Sequence, residues 1–361
     1  MRCLLGPCIF LCCIIATSAH GQEAHAGVDL SATTTAEAVA SNDLTESPRS
    51  GSPIILASRS VIYPIMKFSD RWSLSGAIQV ESRPYFYEQL SQAGYGAKGN
   101  VLQATLNYAR VSEANSIMLK LGELSSTFGS FLVRYDDTSN PLVDLPVGYG
   151  YYYAPVSLLG LSGAEVDVTH KKIDARVQLT SSSPANPQGI LSHDQYANWA
   201  GGAGFTIRQG FRIGVSGYRG PYLDRHDAYF VPGEIDPKKL PAHAIGTDAS
   251  WAHGQTNVSI EAMKFLSPYT KQPDLRESVA YAEVKQGLSP RWFVALRYGY
   301  LSTSVSGKEH RVETSVGFRP GRNQLIKVSY EEERYQSVDD GPDHILGIQF
   351  ITSLHRSFTG R

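Results

Sequence analysis

From about residue 70 onward the chain consists of short segments in which apolar and polar residues alternate. Fourteen can be marked: 70–83, 100–110, 115–124, 163–169, 172–181, 197–207, 210–219, 246–252, 255–265, 277–285, 290–301, 309–318, 323–331 and 343–352. In one, Leu102, Ala104, Leu106 and Tyr108 alternate with Gln103, Thr105 and Asn107; in another, Ile173, Ala175, Val177 and Leu179 alternate with Asp174, Arg176, Gln178 and Thr180. Successive side chains of a strand point to opposite faces, so the pattern predicts strands with one apolar and one polar face. No segment shows a convincing helical period.

The connections carry a second pattern. Tight links at Ser112-Glu113-Ala114, His170-Lys171, Gln209-Gly210, His253-Gly254, Gly287-Leu288-Ser289-Pro290 and Pro320-Gly321-Arg322 alternate with longer ones at roughly 84–99, 125–162, 182–196, 220–245, 266–276, 302–308 and 332–342. A soluble sandwich has no reason to alternate loop length in this way. The rhythm predicts an all-β fold, a transmembrane antiparallel up-and-down β-barrel of about fourteen strands, within a range of twelve to sixteen, with short turns at one end and long loops at the other. Closure follows from physics, because lipid offers no partner for the backbone amides of an open sheet edge.

The N-terminus reads differently. Met1-Arg2 and the apolar run 3–16, followed by Thr17-Ser18-Ala19, have the order of a secretory signal peptide, which bounds a first unit at 1–19. Residues 20–68, rich in Ala, Ser and Thr, read as a disordered periplasmic lead. Within it 59–68 is apolar but interrupted by Pro64, and reads as a plug, an edge segment or a first strand. The barrel is expected over 69–361. All four cysteines (Cys3, Cys8, Cys12 and Cys13) lie in the leader, so a processed chain would hold no disulfide and no thiolate site. The formal charge of -1 argues against a nucleic-acid binder. After the leader no apolar run is long enough for a membrane helix.

In such a barrel the polar parity faces the lumen. The inward charges read from it are Lys120, Glu165, Asp167, Asp174, Arg176, Arg212, Glu261, Arg297, Arg311, Glu313, Lys327 and Glu331, expected to line a pore or to brace it. Their signs are mixed, which predicts weak ion selectivity. The longest connection, 125–162, is too apolar for a freely solvated loop. It reads either as an inward constriction with Arg134, Asp136, Asp137 and Asp144 as a charged rim, or as an external cap or subunit contact built on Tyr149, Tyr151, Tyr152 and Tyr153. Trp72, Tyr85, Phe86, Tyr87, Trp199, Trp251, Trp292 and Tyr300 are candidates for interface girdles.

The last segment, with Phe350 and Phe358 as alternative terminal aromatics, resembles the C-terminal strand of bacterial outer-membrane barrels. The run Trp72-Ser73-Leu74-Ser75-Gly76-Ala77-Ile78-Gln79 and the pair Gly122-Glu123 leading into Phe128-Gly129 resemble the porin family, in particular its phosphate-selective group. The resemblance implies a water-filled channel for small polar solutes, surrounded by outer-membrane lipid, with a homotrimer as the candidate assembly and no cofactor. It does not extend to phosphate selectivity, since the long loop lacks a dense Lys/Arg set.

Competing chemistry is thin. Gly160-Leu161-Ser162-Gly163 and Gly214-Val215-Ser216-Gly217 lack the spacing of a nucleophile elbow. His193, His226 and His243 have no assigned serine partner, so no enzyme and no catalytic residue is expected. Asp224, His226, Asp227, Glu234 and Asp236 read as a solvated loop, and no metal site is expected. Beside the channel, an adhesion or structural barrel acting through its long loops remains open, as does a barrel hydrolase.

Overall fold

A computed structural model describes residues 26–42, 54–83, 85–87, 96–150, 155–185, 197–221, 240–271, 273–305, 307–336 and 341–359. The fourteen alternating segments correspond in order to fourteen strands: β3 (Trp72–Arg83), β4 (Gly96–Val111), β5 (Asn115–Leu124), β6 (Leu161–His170), β7 (Ile173–Thr180), β8 (Asn198–Arg208), β9 (Phe211–Pro221), β10 (Pro241–His253), β11 (Thr256–Ser267), β12 (Leu275–Gly287), β13 (Trp292–Thr303), β14 (Gly307–Phe318), β15 (Gln324–Tyr335) and β16 (Asp343–Thr359). Two more strands, β1 (Gly27–Ser41) and β2 (Ile54–Lys67), precede them. The sheet is closed and antiparallel: each strand pairs with its chain neighbours, and β1 pairs with β16 from Gly27–Thr359 to Ser41–Ile345.

Sixteen strands correct the expected fourteen, and the lead proposed over 20–68 contains the two that were missed. The reason is low contrast. The inward face of β1 carries Thr33, Thr35 and Glu37, and its outward face carries Ala32, Thr34, Ala36, Ala38 and Ala40. Small residues on both faces give little hydrophobic alternation. In β2, Pro64 suggested an interruption. It is tolerated because the β2–β3 ladder skips from Ile62–Ile78 to Ile65–Ser75, so the missing N–H falls in a gap, opposite the side-chain-free Gly76. The leader lies outside the described residues.

The loop rhythm holds with one exception. The β13–β14 connection, 304–306, is as short as the turns at the other end. The outer surface is a belt of exposed aliphatics, among them Leu74, Ile78, Leu119, Val166, Leu296 and Ile348. The hydrophobic core lies inside the barrel, in the lumen.

Candidate functional site: the loop-filled lumen

The β5–β6 connection, residues 125–160, turns into the barrel. Its Phe128, Phe131, Leu145, Val147, Tyr149 and Val156 are buried in one cluster with the wall residues Val61, Leu102, Tyr218, Met263, Phe265 and Val279. Phe128 meets Tyr218 and Phe265 edge-on, with ring centroids 5.1 and 5.5 Å away. Tyr85 and Phe86, from the β3–β4 connection, descend into the same cluster, and Tyr87 packs with Val39, Ile55, Val143 and Ile345. The girdle expected of these three aromatics is therefore corrected: they are lumen core. Trp72, Trp199 and Trp292 are exposed on the outer face. Of the two sequence readings of the long loop, the inward one describes it, and Tyr151, Tyr152 and Tyr153 lie outside the described residues.

A loop withdrawn from water must find partners for its backbone. Charged wall residues supply them. Lys327 Nζ donates to the carbonyls of Asp137 (3.1 Å), Asn140 (3.1 Å) and Leu142 (2.6 Å). Glu313 accepts from the amides of Val143 (2.8 Å) and Asp144 (3.2 Å). Arg297 donates to the Asp144 carbonyl at 2.7 Å and to Glu313 at 2.6 Å. Glu261 accepts from the Ser130 amide at 2.7 Å and from the Tyr149 hydroxyl at 2.9 Å. Gly129 sits at φ +84 with the Tyr149 hydroxyl 2.0 Å from where a Cβ would be, so this corner admits only glycine.

The expected charged rim is not free. Asp137 is buried and accepts from Thr35 (2.6 Å), Arg59 (2.9 Å) and Tyr85 (2.9 Å). Asp136 accepts from Thr33, Tyr63 and Thr138. Arg134 pairs with Glu283 and donates to Tyr281 at 3.2 Å. Asp144 faces Arg311 at 3.4 Å. Burial pushes its carboxyl up to about 7; Arg311 opposes this and the neighbouring Glu313 adds to it. These four residues fasten the loop to the wall.

The twelve inward charges divide into two groups. Glu261, Arg297, Arg311, Glu313, Lys327 and Glu331 are buried, at 7% exposure or less, five of them against the loop. Glu331 Oε1 is buried without a hydrogen-bond partner. The other six lie on β5 to β9. Lys120 pairs with Glu165 and Asp167, both at 2.6 Å. Arg212 bridges Asp174 (2.9 and 2.6 Å) and Asp248 (2.8 Å), lying flat over Gly204. The Arg176 side chain makes no hydrogen bond or ion pair with a described residue. Except for Glu165, which is buried beneath Gln178, these side chains are partly accessible.

Sequence reasoning missed Asp248, Glu283, Arg59 and Glu37. Asp248 shares the polar parity of its strand and was readable there. Arg59 and Glu37 lay in the segment taken as a lead. The serines of the two elbow-like turns are structural: Ser162 donates to Glu123 at 2.6 Å, and Ser216 accepts from the Gly129 amide at 3.2 Å. His243 is exposed on the outer face of β10. His193, His226 and the carboxylates Asp224, Asp227, Glu234 and Asp236 lie outside the described residues. Among the described residues no group of three His, Cys, Asp or Glu is placed to hold a metal ion.

No family model matches this chain, and no curated protein matches it. Solved structures do. The outer-membrane protein OmpT of Vibrio cholerae aligns over 92% of this chain and 99% of its own, with a TM-score of 0.59 and 10% identity. A further structure of that protein is described as a trimer form. The anion-selective porin from Comamonas acidovorans aligns over 92% of this chain and 100% of its own, again with a TM-score of 0.59 and 10% identity. The outer-membrane channel DcaP of Acinetobacter baumannii aligns over 93% and 99%, with a TM-score of 0.57 and 12% identity. At such identities the likeness is one of fold, and the fold is a porin-like barrel.

Proposed function

We propose that this protein is a porin-like channel of the bacterial outer membrane that passes small hydrophilic solutes or ions with weak selectivity. The observation that carries the reading is a closed sixteen-stranded barrel with an aliphatic belt outside and a charged wall inside. Closure satisfies every strand edge, which a lipid environment demands. Among the described residues of β5 to β10 the accessible inner charges are balanced, three cationic (Lys120, Arg176, Arg212) against three anionic (Asp167, Asp174, Asp248), and a mixed lining discriminates poorly between ions. The resemblance to porins and the trimeric neighbour support a homotrimer.

The decisive measurement is the planar-bilayer current of purified, folded protein. Stepwise conductance with a cation-to-anion permeability ratio near one is the expected result. Silence from a folded barrel in which the loop has been removed would overturn the channel.

A second reading has an observation behind it. The described part of the 125–160 connection packs inside the barrel against wall residues of several strands. That favours a barrel whose long external connections bind a partner. The loop-shortened variant separates the two: it conducts if the barrel is a channel narrowed by its loop.

A further inference from the structure

The tight-turn end of the barrel carries an unusual charge. Lys67 and Arg71 flank the β2–β3 turn, Arg110 the β4–β5 turn, and Arg208 the β8–β9 turn. Lys171 and Lys172 form the β6–β7 turn. Arg291 stands at the β12–β13 turn, and Arg319 and Arg322 at the β14–β15 turn. Six of the seven tight turns thus bear Lys or Arg, and the acids within two residues of them are Asp70, Glu113 and Asp174, the last already paired with Arg212 inside the lumen. The side chains of Arg71, Arg110, Lys171, Arg208, Arg291 and Arg322 are exposed and make no hydrogen bond or ion pair with a described residue.

Two of these turns share one design. Ser69-Asp70-Arg71-Trp72 and Ser289-Pro290-Arg291-Trp292 have the same Ser-x-Arg-Trp order. In each, the serine hydroxyl accepts from the arginine amide (3.3 Å in both) and the tryptophan amide (3.2 Å in both). Both tryptophans are 45% exposed on the outer face. Each packs on an aromatic of the next strand, Trp72 on Tyr108 at 5.1 Å and Trp292 on Phe318 at 4.4 Å. An amphipathic indole of this kind marks the level where the hydrocarbon ends and the headgroups begin. The capped turn fixes a guanidinium one residue beyond that level.

We infer that this ring of basic turns is a docking surface for the phosphates of anionic phospholipid headgroups in the leaflet that meets the turn side of the barrel. The inference rests on the outer-membrane reading above. Free guanidinium and ammonium groups just outside an aromatic girdle lie where lipid phosphates are, and each is attracted to an anionic surface. The turns are two to five residues long, too short to reach a polymer well outside the membrane.

The test reconstitutes the full-length protein into phosphatidylcholine bilayers with trace spin-labelled phosphatidylglycerol or phosphatidylcholine, and compares the fractions immobilised at the protein surface. We expect phosphatidylglycerol to associate severalfold more strongly in low salt, with the preference collapsing toward one at about 1 M salt, where charge screening is nearly complete. The variant Arg71→Gln/Arg110→Gln/Lys171→Gln/Arg208→Gln/Arg291→Gln/Arg322→Gln should lose the preference while retaining heat-modifiable migration of a folded barrel. A wild-type ratio near one overturns the proposal, as does a preference the variant keeps. Ring-dependent sedimentation with isolated peptidoglycan sacculi, without a lipid preference, overturns it in favour of a polymer partner. Single-channel currents of the same variant report separately on the channel, so the two readings fail independently.

Discussion

The two halves of the inner wall use the same chemistry for opposite ends. On β5 to β10 the inward charges other than Arg176 pair with one another across neighbouring strands, as Lys120 does with Glu165 and Asp167, and Arg212 with Asp174 and Asp248. Apart from the buried Glu165, they stay partly exposed. On β11 to β15 five buried inward charges, Glu261, Arg297, Arg311, Glu313 and Lys327, reach the loop. Lys327 holds three of its carbonyls, Glu313 two of its amides, and Arg297 a further carbonyl. A charge of given parity is therefore a lining group or an anchor according to what lies over it. In low dielectric a fully used anchor is strong, and the loss of one partner is costly.

The two halves of the wall should become alike once the loop is taken away. Replacing residues 129–158 by a short Gly-Ser link should convert the anchored wall into lining. Single-channel conductance should rise severalfold, and the exposed Lys327, Glu313 and Arg297 should begin to govern ion selectivity. An unchanged conductance would mean the loop does not obstruct the path. Next in size is Lys327→Met, which leaves three buried carbonyls without their donor. Breaking a buried charged contact typically costs about 3–5 kcal/mol. Protease cleavage within 125–160 should become much faster and the current noisier, while the barrel itself remains folded by heat-modifiable migration.

How far this division was legible in the sequence depends on what set each feature. Fourteen strands and the loop rhythm follow from alternation, which is local. The two missed strands are local failures of contrast, since Ala36 and Thr35 on opposite faces of β1 differ little in hydrophobicity. The parity of the twelve charges was readable, because each strand fixes which side chains turn inward. Which of them are anchors was not readable. That depends on where residues 125–160 cross the lumen, a non-local matter decided by Phe128 against Tyr218 and Tyr149 against Glu261. The apolar content of the loop was the one signal, and it left an inward fold and an external cap equally open.

Single charges on the β5 to β10 side should have milder effects. Arg176 has no ion-pair partner among the described residues, whereas Arg212 has two. Arg176→Gln should therefore shift reversal potentials modestly toward cations without affecting thermal stability. Arg212→Gln leaves Asp174 and Asp248 facing each other and should shift selectivity further, with a small loss of stability. Equal effects from both would show that pairing does not mute a lining charge.

The smallest expected effect concerns pH. Asp144 on the docked loop has its carboxyl raised to about 7 by burial, from an ordinary value of 3.8. The docked loop thus holds a proton that the released loop gives up. Below about pH 4 both forms are protonated, and the contribution of Asp144 to docking is at its largest. Between about 4 and 7 the released form loses its proton first, so docking weakens steadily, and above 7 the loss is complete and constant. Protease protection of residues 125–160 should decline over that window and then level off. Arg311, which favours the charged form, limits the amplitude. Asp144→Asn cannot titrate and should give a flat profile over the same range. If the slope persists in that variant, Asp144 is not the group that sets the pH response of the docked loop.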